Sequence, residues 1–512
     1  MPGTASRVAI NTGYLYARMG ITMFVSLYTT RLVLNALGES DFGIFTIVGG
    51  TIALLGFFNA SLSSSTQRFM SYAEGEGDLE KKKFIFNIST ILHFTLGLIV
   101  ALILIAAGFV FFNGLLNIPK ERFEAAIIVY GSLIVSTVFN VMSVPYEAVL
   151  NAHENMRYFA VVGIIESILK LIVAYVCVYT LMDKLVIYGI LMALVPIFIL
   201  MIMRIYCHRK YDECFYSPQK YFDKSLAKNM TSFAGWSFLS SVAAMTTMQG
   251  MAILLNVYGG VVVNTAHGIA NQLSGQLMAF SNTMLKALNP VLVKSCGAKQ
   301  MNLMLQAADT GNKLSFVCFA IFAIPFIIET PYILSLWLKI VPEWTVLFCR
   351  LVFVRQLISQ SYATLESCIG ATGKIKKMTI YSAVLWIFPI IVGVVMYELG
   401  APIYTIYILL IVLALLRGAN AVFFCSKLCG LDLRTYLFRT FFPLVLTFIL
   451  VLQIGSSFVL LFETSIARCL LVFAVSMPLY ATICFLFVFN KIEREKMKSL
   501  FKSVHYKIKK RK

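Results

Sequence analysis

Fourteen predominantly apolar runs, each of them about 20 residues or longer, decide what this chain can fold into. They fall at about 9–32, 41–66, 84–113, 124–146, 158–180, 185–206, 230–256, 263–292, 313–337, 344–369, 377–397, 402–426, 436–461 and 467–490. A helix needs about 20 apolar residues to cross a hydrocarbon core of roughly 30 Å. The runs are continuously apolar and do not alternate every second residue, so helices are expected and a barrel of strands is not. Composition agrees: 59% of the 512 residues are apolar and 13% charged, with mean hydropathy +0.83. Ordinary soluble domains have roughly 45–50% and 25%. Those values exclude a soluble enzyme, and also a disordered chain, which needs low hydrophobicity. No small-residue cleavage site follows the first run, so a retained helix is expected there.

With 43 Lys and Arg against 24 Asp and Glu, the formal charge is +19. Its placement carries the meaning. If the N-terminus is cytoplasmic, most basic residues fall in inner segments: Arg68 with Lys81, Lys82 and Lys83; Arg204, Arg209, Lys210, Lys220, Lys224 and Lys228; Lys294, Lys299 and Lys313; and a tail from Lys491 to Lys512. Arg31, Lys120, Arg122, Lys184, Lys339 and Arg468 fall outside. This bias orients a multi-pass protein with both termini cytoplasmic. The tail is expected to lie on anionic headgroups, and nucleic acid is not an expected partner. Most of the cysteines, such as Cys177 and Cys349, fall in apolar runs and read as small hydrophobes. No metal ligands, catalytic residues or cofactor are expected.

An internal repeat divides the chain. LNALG at 34–38 corresponds to LNVYG at 255–259, FFNASLSSSTQRF near Asn59 to AFSNTMLKALNPV near Asn282, and PYEAVLNAHENMR around Glu147 to TLESCIGATGKIK around Glu366. All three need a shift of about 220 residues. The expected organisation is an all-α polytopic membrane protein: a six-helix lobe at 1–207, a basic linker at 208–228, a second six-helix lobe at 229–430, two further helices at 431–490 and a tail at 491–512.

Polar residues within the runs mark candidate sites, because lipid makes them costly. Asn11, Tyr14, Arg18, Thr22, Ser26 and Thr29 recur every three or four residues and share a face of the first helix. Asn59, Ser63 and Thr66 do so in the second, and His267, Asn271, Ser274, Asn282, Lys286 and Asn289 in the eighth. Arg18 lies about nine residues into its helix, near mid-membrane at 1.5 Å per residue. It needs water, an acid or an anionic ligand. Arg18, Thr22, Asn59, Ser63, Asn271, Asn282 and Lys286 are therefore the expected substrate-binding residues. Glu166 and Lys170 are spaced as a helical ion pair. With Arg355 and Glu366, which share a face of the tenth helix, they are candidates for gating or coupling. His93 and His153 lack a ligand constellation in the sequence.

The stretch YLYARMGITMFVSLYTTRLVLNALGESDFGIFTIVGG, with SSSTQRFMSYAEGEGD after it, resembles the start of the bacterial polysaccharide transporters, the O-antigen and lipid-linked oligosaccharide flippases of the multidrug/oligosaccharidyl-lipid/polysaccharide (MOP) exporter superfamily. The pattern LG-x3-FG-x-F from Leu37 to Phe45 is its most specific part. The resemblance implies two six-helix lobes in a V shape, two extra helices, an inner-membrane location and a polyprenyl-diphosphate-linked oligosaccharide as cargo, moved by alternating access. It implies glycosyltransferases and a polysaccharide polymerase as functional neighbours, and a monomer is compatible with it. Arg18 and Lys286 would then meet the diphosphate, and the amides the sugars. The alternatives are a cation-coupled multidrug exporter of the same superfamily, for which an acid in the lumen is expected, and a membrane-embedded polymerase or acyltransferase, which would need catalytic acids and larger outer loops.

Overall fold

The computed structural model describes residues 4–53, 55–115, 118–338, 340–495 and 497–498. Lys339 and most of the basic tail, 499–512, lie outside them. The described residues are almost entirely helical and contain no strand. The helices are α1 (Thr4–Ala53), α2 (Gly56–Glu76), α3 (Leu79–Val110), α4 (Phe123–Ala152), α5 (Met156–Tyr179), α6 (Lys184–Lys210), α7 (Lys224–Gly297), α8 (Met301–Ile328), α9 (Thr330–Trp337), α10 (Thr345–Thr372), α11 (Lys376–Glu398), α12 (Thr405–Cys429), α13 (Leu433–Tyr436), α14 (Phe442–Leu461) and α15 (Ile466–Ile483). Helix covers most of every expected span among the described residues.

The two longest helices each hold two spans, broken at one glycine. Gly38 in α1 has φ 76° and ψ 172°, and Gly260 in α7 has φ 73° and ψ −175°. This region of backbone space is essentially restricted to glycine. The two breaks stand 222 residues apart: Gly38 closes the LNALG segment, and Gly260 directly follows the matched LNVYG segment. The repeat seen in the sequence thus marks a backbone event made twice.

Two expected spans are not single helices. The run 41–66 is interrupted before Gly56, and α2 continues to Glu76. The run 313–337 breaks at Glu329 between α8 and α9. A buried carboxylate at that point needs a cation, and the chain turns to give it one: Arg468, at the start of α15, meets Glu329 with two hydrogen bonds of 2.9 Å.

The chain forms two compact units, Ile10–Phe238 and Leu239–Lys512 together with Met1–Ala9. In the first, Val33, Ile85, Phe86, Val149, Leu150 and Cys207 are among the core residues. In the second, Phe319, Phe348, Tyr407, Leu444, Val451 and Val472 share one core, so α14 and α15 pack on this unit. Large apolar side chains such as Phe24, Leu102, Phe109, Met201 and Phe423 are exposed on helix flanks. An aqueous surface rarely carries so much contiguous apolar area, whereas a lipid-facing one requires it. All eleven cysteines are free, and ten are buried.

The segments joining helices are closed by caps. Asp78, Asn155 and Ser465 accept backbone N–H groups at the starts of α3, α5 and α15, and Asp183 does so at α6. Asp183 also pairs with Arg122 at 2.5 Å, while Arg122 bonds Asp41 as well. One guanidinium thereby ties three helices of the first unit at the end assigned to the outer side.

Candidate functional site

In the first unit Arg18 is half-buried against α5. Its guanidinium lies 4.5 Å from the Phe159 ring centre, and the space it fills exists because residue 163 is glycine: a Cβ there would stand 2.0 Å from Nε. Glu166 and then Glu147 supply the negative charge acting on it. Among the described residues no carboxylate closes an ion pair with Arg18. Glu166 instead holds Lys170, with Nζ–Oε1 of 2.6 Å. Arg18 therefore rests on an aromatic face with partial electrostatic compensation, and it stays able to engage an anion.

The remaining first-unit residues are less alike than their spacing implies. Thr22 donates to its own helix at Met19 O, 3.2 Å. Ser63 accepts from Gln67 Nε2 at 3.2 Å. Asn59 has a buried Oδ1 with no hydrogen-bond partner, a costly state that marks it as a polar group waiting for one.

The second unit splits its stripe. His267 and Ser274 are buried, whereas Asn282, Lys286 and Asn289 are exposed on α7. Asn271 Nδ2 donates to His267 Nε2 at 2.9 Å, which leaves Nδ1 as the protonated nitrogen facing the Tyr407 hydroxyl at 2.6 Å. The residues read as one line thus separate into an interhelical network through His267 and Asn271 and an outward-facing line through Asn282 and Lys286. A polar stripe on a helix can be wide enough to serve a neighbour with one edge and solvent with the other.

Arg355 and Glu366 lie on α10 with a third charge that spacing alone did not single out. Arg417 of α12 acts on both, attracting Glu366 and repelling Arg355. Its guanidinium lies 3.7 Å over the Trp386 ring centre. Gly418, beside it, lets α12 approach α10: a Cβ there would meet Tyr362 at 2.9 Å. Arg355 Nε is buried and without a hydrogen-bond partner. Two arginines and one glutamate in an apolar bundle leave a local excess of positive charge.

His153 is not isolated. It caps α4 and stands between two carboxylates, with Nε2 2.5 Å from Glu213 and Nδ1 3.2 Å from Glu74. Both ring nitrogens face acceptors, so the geometry requires the doubly protonated ring. Burial alone would lower its pKa, but the hydrogen bonds to Glu213 and Glu74 raise it. Burial likewise opposes the charged Glu74, yet His153 and Lys82 hold it down to about 2. Lys82 completes the cluster, 2.7 Å from Glu74 and 3.8 Å from Glu213, and Tyr211 stacks on the imidazole at 4.3 Å. Glu74, His153 and Glu213 could in principle hold a metal ion, but the ammonium and imidazolium already neutralise both carboxylates. No sequence spacing could have shown this, because the partners lie 60 and 79 residues away.

Residues 17–176 match the family model MatE. No curated protein matches the sequence. Solved structures do. A MATE bound to MaD3S superposes with TM-score 0.71 at 16% identity, covering 84% of this chain and 98% of the other. An outward-facing multidrug resistance MATE family transporter of the MOP superfamily gives 0.69 at 15%, covering 84% and 96%. A MOP superfamily transporter from Pyrococcus furiosus, described as having a binding pocket of reversed polarity that suggests a different function, gives 0.67 at 14%, covering 84% and 99%. The fold is that of the MATE transporters. The chain is a multi-pass membrane protein.

Proposed function

We propose that this chain is a membrane exporter working by alternating access. The observation that carries this is the agreement between the MatE match over 17–176 and the MATE fold over 84% of the chain. On cargo, the comparisons support the multidrug exporter reading better than the lipid-linked oligosaccharide reading, since one of the similar structures is described as a multidrug resistance MATE family transporter. A drug-like cation would be met by Glu147 or Glu366, two partly buried carboxylates on helices for which no ion pair is formed within the described residues.

One specific observation favours the second reading, a lipid-linked oligosaccharide flippase of a bacterial cytoplasmic membrane with both termini inside. The cations inside the spans are mainly arginines, among them Arg18 on an aromatic face and Arg355 beside Arg417. Guanidinium groups suit phosphate. The Pyrococcus furiosus neighbour indicates that this fold accommodates pockets of opposite polarity.

Vesicles carrying the full chain separate the two. Under the drug reading a lipophilic fluorescent cation is transported, Glu366→Gln reduces its uptake, and Arg18→Ala does not. Under the flippase reading a lipid diphosphate-linked oligosaccharide changes leaflet and Arg18→Ala slows it. Movement of neither cargo would overturn both readings.

A further inference from the structure

The ends of α5 and α6 enclose a recess of about 400 Å³ lined by Tyr158, Ile202, Ile205, Tyr206, Arg209 and Lys210. We infer that it binds the headgroup of an anionic phospholipid from the leaflet on the side of the basic loops. No carboxylate lines it. Its aromatic wall is fixed before any ligand arrives: the Tyr158 and Tyr206 rings stack at 3.6 Å, Tyr158 donates to Ile202 O at 3.3 Å, and Asn155 Nδ2 donates to the hydroxyls of Tyr206 and Tyr211 at 2.8 and 2.9 Å. Lys210 Nζ donates to the Tyr206 hydroxyl at 2.9 Å, which holds one cation at the rim. Arg209 is the other. It is exposed and makes no ion pair among the described residues.

Below the rim, the site continues as a lipid would. Phe198, Met201, Ile205 and Arg209 follow one another at three or four residues along α6, so they form one stripe. The three apolar members are about half exposed, at 48, 53 and 51%. An acyl chain lies against that stripe when a phosphate reaches Arg209 and Lys210. Arg157, exposed at the start of α5, adds a third positive charge at the same end. Basic recesses between membrane helices at the interface are recognised by anionic headgroups, and an apolar flank distinguishes a lipid from a soluble anion.

The test uses the purified full chain with phosphatidylglycerol, phosphatidylcholine and inorganic phosphate as probes, reading retained ligand by native mass spectrometry. Phosphatidylglycerol should be retained over phosphatidylcholine by about twenty-five-fold, the product of roughly fivefold for each of two surface cations. The double substitution Arg209→Ala, Lys210→Ala should abolish that preference, and Arg209→Lys with Lys210→Arg should keep it. A photoactivatable phosphatidylglycerol should attach within residues 198–210. Equal retention of both lipids, attachment elsewhere, or displacement of phosphatidylglycerol by millimolar phosphate would overturn the inference.

Discussion

His153 in the first unit and Lys313 in the second are both basic side chains held between two carboxylates, and both draw separate segments together. His153 joins Glu74 at the end of α2 to Glu213 in the stretch after α6. Lys313 lies within α8, 2.7 Å from Asp309 and 3.2 Å from Glu493, which follows α15. The sequence reading had counted Lys313 among loop cations. It is buried, because Glu493 and Asp309 satisfy it and Thr440 bonds Asp309 in turn. The clasps differ in chemistry. Histidine is the side chain whose charge ordinarily changes between pH 5 and 8, so one unit carries a titratable fastening and the other does not. The opposite ends of the units differ in burial: Arg122 with Asp41 and Asp183 is partly exposed, whereas Arg468 and Glu329 are buried.

The largest effect should come from breaking the buried fastening. Glu329→Ala leaves Arg468 uncompensated and should cost about 3–5 kcal/mol, read as a lowered thermal unfolding midpoint of the purified protein. A loss below 1 kcal/mol would mean that Arg468 finds another acceptor. Next come the positions at which the units are alike. Gly38→Ala and Gly260→Ala meet no neighbouring atom within 4 Å, so the penalty is backbone strain alone, about 1–3 kcal/mol each. Similar losses at both sites are expected in the same melting assay, and a large inequality would break the equivalence of the repeats.

Hydrogen exchange against pH sharpens the contrast between clasps. The raised pKa of His153 stabilises the first unit fully below the unfolded value near 6.5, and that contribution disappears as pH rises through the folded value. Glu74 works in the other direction, contributing above the ordinary carboxyl value of 4.5 and losing its effect as pH falls toward about 2. Protection of residues 211–223 should fall as pH rises above about 6.5, and His153→Gln should flatten that dependence. Residues 490–495 should show no such slope; equal slopes in both segments would remove the distinction. The smallest effect belongs to Asp183→Asn, which can keep the cap on α6 and removes the charge of the partly exposed pair with Arg122; it should cost about 1 kcal/mol or less in the same melting assay.

Hydropathy made the fourteen spans legible because a lipid-crossing helix is written locally, within about 20 residues. The repeat was legible for a related reason: Gly38 ends, and Gly260 directly follows, the same short LN-x-x-G phrase. The break at Glu329 was hidden, since it lies in a run that stays apolar on either side. The spacing of Glu166 and Lys170 predicted their pair correctly, as both partners share a helix. Arg18 was visible as a mid-span cation, but its seat on Phe159 and Gly163 was not, because that needs the packing of α1 on α5. The same applies to Arg417 beside Arg355 and Glu366, and to His153. Charge constellations assembled from several helices depend on tertiary packing, which single-helix periodicity does not encode.

Because every native thiol is free and all but Cys318 are buried, the chain suits site-directed spectroscopy. Cysteines introduced at the exposed Ser40 and Thr464 should take maleimide-linked spin labels or dyes ahead of the native sulfhydryls. Paired labels could then follow the transport cycle in real time without first stripping the protein of its own cysteines.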